Sequence, residues 1–129
     1  NIDSTFYYPT AIDAHGRPMA HVIRVGGSAM DGSLSSISNF GSETIDLYAP
    51  GEYIAGFYPG DKPDMANGTS VAAPVVSGVA AMLRACFPKL KACEIKQILM
   101  ATVHKMPGLQ SVSGGIVDAC AAMKMAKGK

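Results

Sequence analysis

Charge is scarce in this sequence. Of its 129 residues, only 16% are Asp, Glu, Lys or Arg, and the net charge is +1. No field of one sign steers such a chain toward nucleic acid or an acidic partner. The one basic cluster, Lys124, Lys127 and Lys129, reads as a solvated terminus. A membrane-spanning run is lacking too. The longest apolar stretch, Val71 to Leu83, is broken by Pro74, Ser77 and Gly78 and falls short of the ~20 residues required. No phosphate-loop or Gly-x-Gly-x-x-Gly pattern occurs, and Gly26-Gly27-Ser28 is too short to cradle a phosphate, so nucleotide binding is set aside. Asn1-Ile2-Asp3 has neither an initiator Met nor a secretory leader and reads as interior sequence. Cysteines number three, an odd count. Cys86 and Cys93 are close enough in sequence to be bridged, which leaves Cys120, read as a small buried thiol.

What is present is a greasy, turn-rich globular composition: 48% hydrophobic, with 14 glycines and 8 prolines. The length suits one domain. Val22-Ile23-Arg24-Val25-Gly26 reads as a buried strand and Thr44-Ile45-Asp46-Leu47-Tyr48 as a second. Residues 52–58 read as a third, and 28–42 and 61–67 as loops. Helices are expected over 69–87, 92–104 and 118–126. The first is alanine-rich with no polar face, which predicts burial all round. In the second, Glu94, Lys96 and Gln97 are expected to face outward. Short parallel-type strands with helices indicate an α/β layered fold. Two or three strands cannot enclose a fully buried helix, so the pieces read as part of a larger sheet.

The segment that carries chemistry is Asn67-Gly68-Thr69-Ser70-Val71-Ala72-Ala73-Pro74. Here a loop feeds through Gly68 into a helix start. Helix starts have free backbone N–H groups and a partial positive charge. A serine there can present its Oγ outward while its own N–H faces a developing oxyanion. Gly68 lets a substrate backbone approach. Pro74 falls near the last free N–H, where a missing donor costs least. The plainer alternative is that Thr69 or Ser70 is an N-cap and Gly68 a turn residue.

In its context the segment resembles the nucleophile signature of the subtilisin-like serine proteases. Val76-Ser77-Gly78-Val79-Ala80-Ala81-Met82-Leu83 resembles the buried helix that follows it. Val22 to Gly26, Ser38-Asn39-Phe40-Gly41 and Asp46-Leu47-x-Ala49-Pro50-Gly51 match the family's succession of strand, loop and strand. Glu94 to Leu99 and Gly114 to Ala119 match its closing helices. The resemblance covers nearly the whole chain. It implies a three-layer α/β fold, a mostly parallel sheet with helices on both faces, present as its C-terminal portion over residues 1–129. It implies that Ser70 is the nucleophile, with Asn67, Gly68 and Thr69 beside it. Tyr8-Pro9-Thr10 would form part of the substrate-pocket wall, with a cis bond before Pro9 as one option. Val71 and Val75 depart from the family's usual Met and His.

The family's chain order is Asp, His, Ser, so the triad partners of Ser70 are expected upstream of this chain. Asn1 is a candidate for the oxyanion-hole Asn, although Asn1-x-Asp3 looks more like the segment just after it. His15-Gly16 and His21 imitate the family's His-Gly-Thr-His helix, but Arg17-Pro18 would break that helix. His104 is expected near a helix C-terminus. Asp46 matches a position that in some family members helps hold a weak cation, and as a plain residue it reads as a surface carboxylate. The resemblance requires no cofactor and no catalytic metal, and it allows a weakly bound structural calcium in the complete domain. Expected partners are a polypeptide substrate and the N-terminal half of the same domain, in a secretory or extracellular setting. The alternative is a non-catalytic pseudoprotease or interaction module that keeps the fold.

Overall fold

The computed structural model describes residues 1–5, 12–13 and 15–128. Strand β1 (Val25–Ser28) pairs in parallel with β2 (Leu47–Pro50). Strands β3 (Ile54–Tyr58) and β4 (Lys62–Ala66) form an antiparallel hairpin of their own. Helices α1 (Thr69–Cys86) and α2 (Ala92–Ala101) follow. Two short strands, β5 (His104–Lys105) and β6 (Gly115–Ile116), extend the first sheet, and α3 (Ala119–Lys127) closes the chain. The sheet order is β1-β2-β6-β5, parallel except for the β5–β6 pair. The fold is thus α/β with a mostly parallel sheet.

Alternation along β2 separates two cores. Leu47 and Ala49 face α1, whose Ala72, Val76, Val79 and Leu83 are buried against them, backed by Ile95, Ile98 and Leu99 of α2 and Ala122 and Ala126 of α3. Tyr48 points the other way, into a smaller cluster with Ile45, Leu109, Leu34 and Ile116. Its hydroxyl donates to the Gln110 carbonyl at 2.9 Å, and burial, with the nearby Asp3 charge, pushes its pKa up to about 12. Helix α1 lies against β1 and β2, and α2 and α3 pack on α1 and on each other within the same apolar cluster, so this chain holds the sheet and a helical layer on one of its faces.

Several expectations are corrected. The first strand begins at Val25: ahead of it Lys96 donates to the Val22 carbonyl and Asp46 accepts from the Arg24 N–H, while the Arg24 carbonyl accepts from the backbone N–H groups of Asp46 and Leu47. Residues 62–66 are a strand, since the turn at Pro59-Gly60-Asp61 folds them back onto β3. Gly60 and Asp61 both adopt positive φ in that turn. Helix α2 stops at Ala101, where Thr102 donates its hydroxyl to the Ile98 carbonyl, so His104 lies in an exposed strand and not at a helix end. Lys124 and Lys127 sit in the last turn of α3, where they complement the helix dipole. Helix α1 is not buried all round. Its inner stripe is covered by the sheet, while Pro74, Ser77, Gly78, Ala81 and Ala85 are exposed. A sheet covers one side of a helix, and no described element covers the other. By length and composition α1 could cross a membrane, yet here its stripe packs on β1 and β2. Cys86 and Cys93 are free thiols, and Cys120 is exposed because it lies on the outer side of α3, away from Ala122 and Ala126.

The N-terminal segment is fastened by one carboxylate. Asp3 accepts from the backbone N–H groups of Ser42, Glu43 and Thr44 and from the hydroxyls of Ser42 and Thr44, at 2.6 to 3.1 Å. The Thr44 hydroxyl, with the backbone donors, lowers its pKa to about 2. A depressed folded-state pKa stabilises above the unfolded value of about 3.9, and that contribution fades as pH falls toward 2. Amide-exchange protection of residues 42–44 is therefore expected to drop between about pH 4 and 2. In Asp3→Asn it should already be low at pH 7 and show no such step. Hydrogen exchange read by mass spectrometry or NMR checks this.

Candidate functional site

The geometry around Ser70 starts at the ends of β1 and β2. Gly51, just past β2, donates its N–H to the Ser28 carbonyl at 2.9 Å, and its own carbonyl accepts from Gly68 N–H at 2.7 Å. A methyl group added at Gly51 would lie 2.9 Å from Gly27 Cα and 3.2 Å from the Gly68 carbonyl, so no larger residue fits the crossing. The loop that carries the motif is thereby tied to the C-terminal end of the parallel strands. In open α/β sheets, binding sites collect at that end.

Gly68 is the N-cap of α1, with φ 139° and ψ 165°, a backbone region essentially reserved for glycine. Its carbonyl accepts from both Val71 and Ala72 N–H, at 3.1 and 3.2 Å. No side chain caps the helix. The Thr69 and Ser70 hydroxyls are therefore not used as caps, contrary to the plainer reading of the motif. Among the described residues, the Ser70 hydroxyl and the N–H groups of Thr69 and Ser70 have no hydrogen-bond partner. Ser70 is exposed as the second helical residue, with its Oγ over Gly68: a methyl placed there would sit 3.2 Å from it. Thr69 is half-buried. Asn67 is exposed, and its Oδ1 accepts from Tyr53 N–H at 2.6 Å, holding the loop against a residue at φ 53°. Pro74 lies deeper than expected, as the sixth helical residue, where its missing N–H deprives the Ser70 carbonyl of its usual partner.

Beside this helix start runs an open apolar groove of about 330 Å³, formed by residues 54–59 and Ala66 of the hairpin and by Val71 and Pro74 of α1. The structure thus brings Asn67, Gly68, Thr69 and Ser70 together. Tyr8, Pro9 and Thr10, with the peptide bond before Pro9, lie outside the described residues. Asn1 turns on its own backbone, its Oδ1 accepting from Asp3 N–H at 2.9 Å. His15 and His21 are exposed, and the segment around His15 is a turn fixed by Asp13 on Arg17 and on the His15 N–H rather than a helix. No described His, Cys, Asp or Glu residues form a cluster of three able to hold a metal.

Asp46 is not a surface carboxylate. It is 2% exposed and accepts from Arg24 N–H at 2.7 Å, Arg24 Nε at 3.2 Å, Arg24 Nη2 at 2.9 Å and Lys96 Nζ at 3.1 Å. Burial pushes its pKa up. The Arg24 and Lys96 hydrogen bonds and the Arg24 charge pull it down further, leaving it below the ordinary carboxylate value. Lys96 accordingly turns inward instead of facing solvent. A signal for this existed in the sequence: Arg24 is a lone charge inside a β-branched run, and such a charge needs a buried partner.

The chain matches the family model described as the subtilase family over residues 1–117. It is 36% identical over 118 residues to mycosin-4 of Mycobacterium tuberculosis, covering 88% of this chain and 24% of that protein. It is 31% identical over 105 residues to M-protease of Shouchella clausii, covering 81% of this chain and 27% of that protein. The crystal structure of the A-subunit of the AB5 toxin from E. coli superposes with a TM-score of 0.73 at 32% identity, over 81% of this chain and 38% of that one. The chain spans about a quarter of the length of these two curated relatives.

A test of the helix start is Gly68→Ala. It forces a side chain into a glycine-only backbone region and is expected to cost about 1–3 kcal/mol. Urea unfolding of the intact protein should show an unfolding free energy lowered by that amount, read as a lower midpoint with an unchanged slope.

Proposed function

The chain belongs to the subtilase family, and we propose that it is the C-terminal part of a single subtilisin-like catalytic domain whose complete form is a serine endopeptidase. One observation carries the reading: an exposed Ser70 hydroxyl at a helix start, where neither it nor the Thr69 and Ser70 N–H groups have a partner among the described residues. In the proposed reaction a histidine base takes the proton from Ser70 Oγ as the oxygen attacks the carbonyl carbon of a peptide bond. The helix-start N–H groups stabilise the oxyanion of the tetrahedral intermediate. The histidine returns the proton to the leaving amine, and water then releases the acyl group by the same route in reverse. Asn67, Gly68 and Thr69 flank the acyl carbon, and Tyr8-Pro9-Thr10 supplies part of the pocket wall.

The base and its aspartate belong upstream of this chain, in the family's order of Asp, His, Ser. The N-terminal half of the domain is also the partner that covers the outer side of α1. Its exposed side is lined by Ser77, Gly78, Ala81 and Ala85, residues small enough for close approach of another element. Without a base, Ser70 keeps its proton, and loss of a triad member costs several orders of magnitude in rate. The 129-residue chain alone is thus inactive in this reading. A secretory or extracellular location is the setting it favours.

The intact protein is expected to react with a fluorophosphonate probe. Ser70→Ala should abolish labelling while leaving the thermal unfolding midpoint within a few degrees, and the isolated 129-residue chain should not label. Labelling that survives Ser70→Ala places the nucleophile elsewhere. A folded, intact protein that never labels favours the non-catalytic reading.

A further inference from the structure

The buried carboxylate of Asp46 stands at the position where some family members place a weakly held cation. The donor set found here does not fit such an ion. A carboxylate offers about four lone-pair sites. Asp46 uses Oδ2 for Arg24 N–H, Arg24 Nε and Lys96 Nζ, and Oδ1 for Arg24 Nη2. One carboxylate faces two side-chain cations, so the cluster has an excess of positive charge that repels a further ion. The side chains of Arg24 and Lys96 are 19% and 13% exposed, which leaves little screening.

Lys96 occupies a distinctive place. Its Nζ lies 3.1 Å from Asp46 Oδ2 and 2.6 Å from the Val22 carbonyl oxygen. It thus bridges a carboxylate at the entry to β2 and a main-chain carbonyl on the segment entering β1, from a helix 50 and 74 positions further on. A bare monovalent cation would link the same two oxygens. We propose that Lys96, seconded by Arg24, is a tethered counter-ion that replaces a diffusible metal cation at Asp46, so that strand entry and α2 are joined without metal. This role is independent of the chemistry of Ser70.

The test is chemical rescue in the intact protein. Lys96→Ala deletes the ammonium and opens its space. Breaking a buried pair is strongly destabilising, and Tm in tetramethylammonium chloride should fall by roughly 5 °C or more. Ammonium or potassium chloride at the same concentration should restore a substantial part of that loss in a saturable way. Tetramethylammonium, which is too large to enter, should not. The wild type should show the same Tm in all three salts. A Lys96→Ala protein that folds in ammonium but not in tetramethylammonium is the same result in stronger form. Equal Tm in all three salts, or failure to fold in any, overturns the proposal. A second comparison needs no lysine variant. A rise in wild-type Tm with potassium or calcium that Asp46→Asn removes would also overturn it, because it would mean that the carboxylate takes up the ion with Lys96 in place.

Discussion

The position of Ser70 depends on one crossing of backbone over backbone, where the Gly51 carbonyl accepts from the N–H of Gly68 at 2.7 Å while the Gly51 N–H donates to Ser28. Three pieces of chain are held by these two bonds: the end of β1, the end of β2 and the start of α1. Each glycine is there for a separate reason. Gly51 is needed because a Cβ would collide with Gly27, and Gly68 because its φ and ψ exclude side chains. The helix then leaves the crossing along the sheet, its Ala72-Val76-Val79-Leu83 stripe seated on Leu47 and Ala49. The catalytic reading needs no strain at the serine itself. The unusual backbone is one residue earlier than Thr69, and the hydroxyl is simply what the first turn exposes.

Two carboxylates fasten the rest of the chain, by contrasting means. Asp3 is exposed and satisfied by backbone N–H groups and hydroxyls, all neutral donors, so its low pKa reflects hydrogen bonding. Asp46 is buried and satisfied mainly by charge. Removing a neutral donor from an exposed carboxylate lets water take its place, whereas removing a cation from a buried one leaves a charge without an equivalent. The first arrangement is a clasp that yields locally. The second is part of the core.

The helical portion of the fold was the most legible part of the sequence. Alanine-rich and periodic segments end at Phe87-Pro88 and begin again near Ala92 and Asp118, close to the observed bounds. The exposed hydroxyl at Ser70 was legible only through the context of the whole segment and its resemblance to the family signature, since Gly-Thr-Ser alone suits a plain cap and turn. Less legible were features set by residues far apart in sequence. That Lys96 faces inward cannot be read from α2 alone, since the helical period leaves it on the polar side, and only Asp46 and Val22 draw it in. The second arm of the hairpin was hidden because Lys62, Pro63 and Asp64 are poor strand formers, and the arm is held by its turn and its partner strand. Burial of α1 was overestimated because apolar composition reports what a helix is able to contact and not what surrounds it.

The side-chain ties join residues far apart along the chain: Asp3 to positions 42–44, Tyr48 to Gln110, Lys96 to Val22. With the parallel pairing of β2 and β6, they give the molecule a topology rich in non-local contacts. Such contacts are rewarded only after long loops have closed, so a chain of this kind folds slowly compared with a helical bundle of its size. Until those loops close, the apolar stripe of α1 lacks the β1 and β2 surface that covers it in the folded molecule.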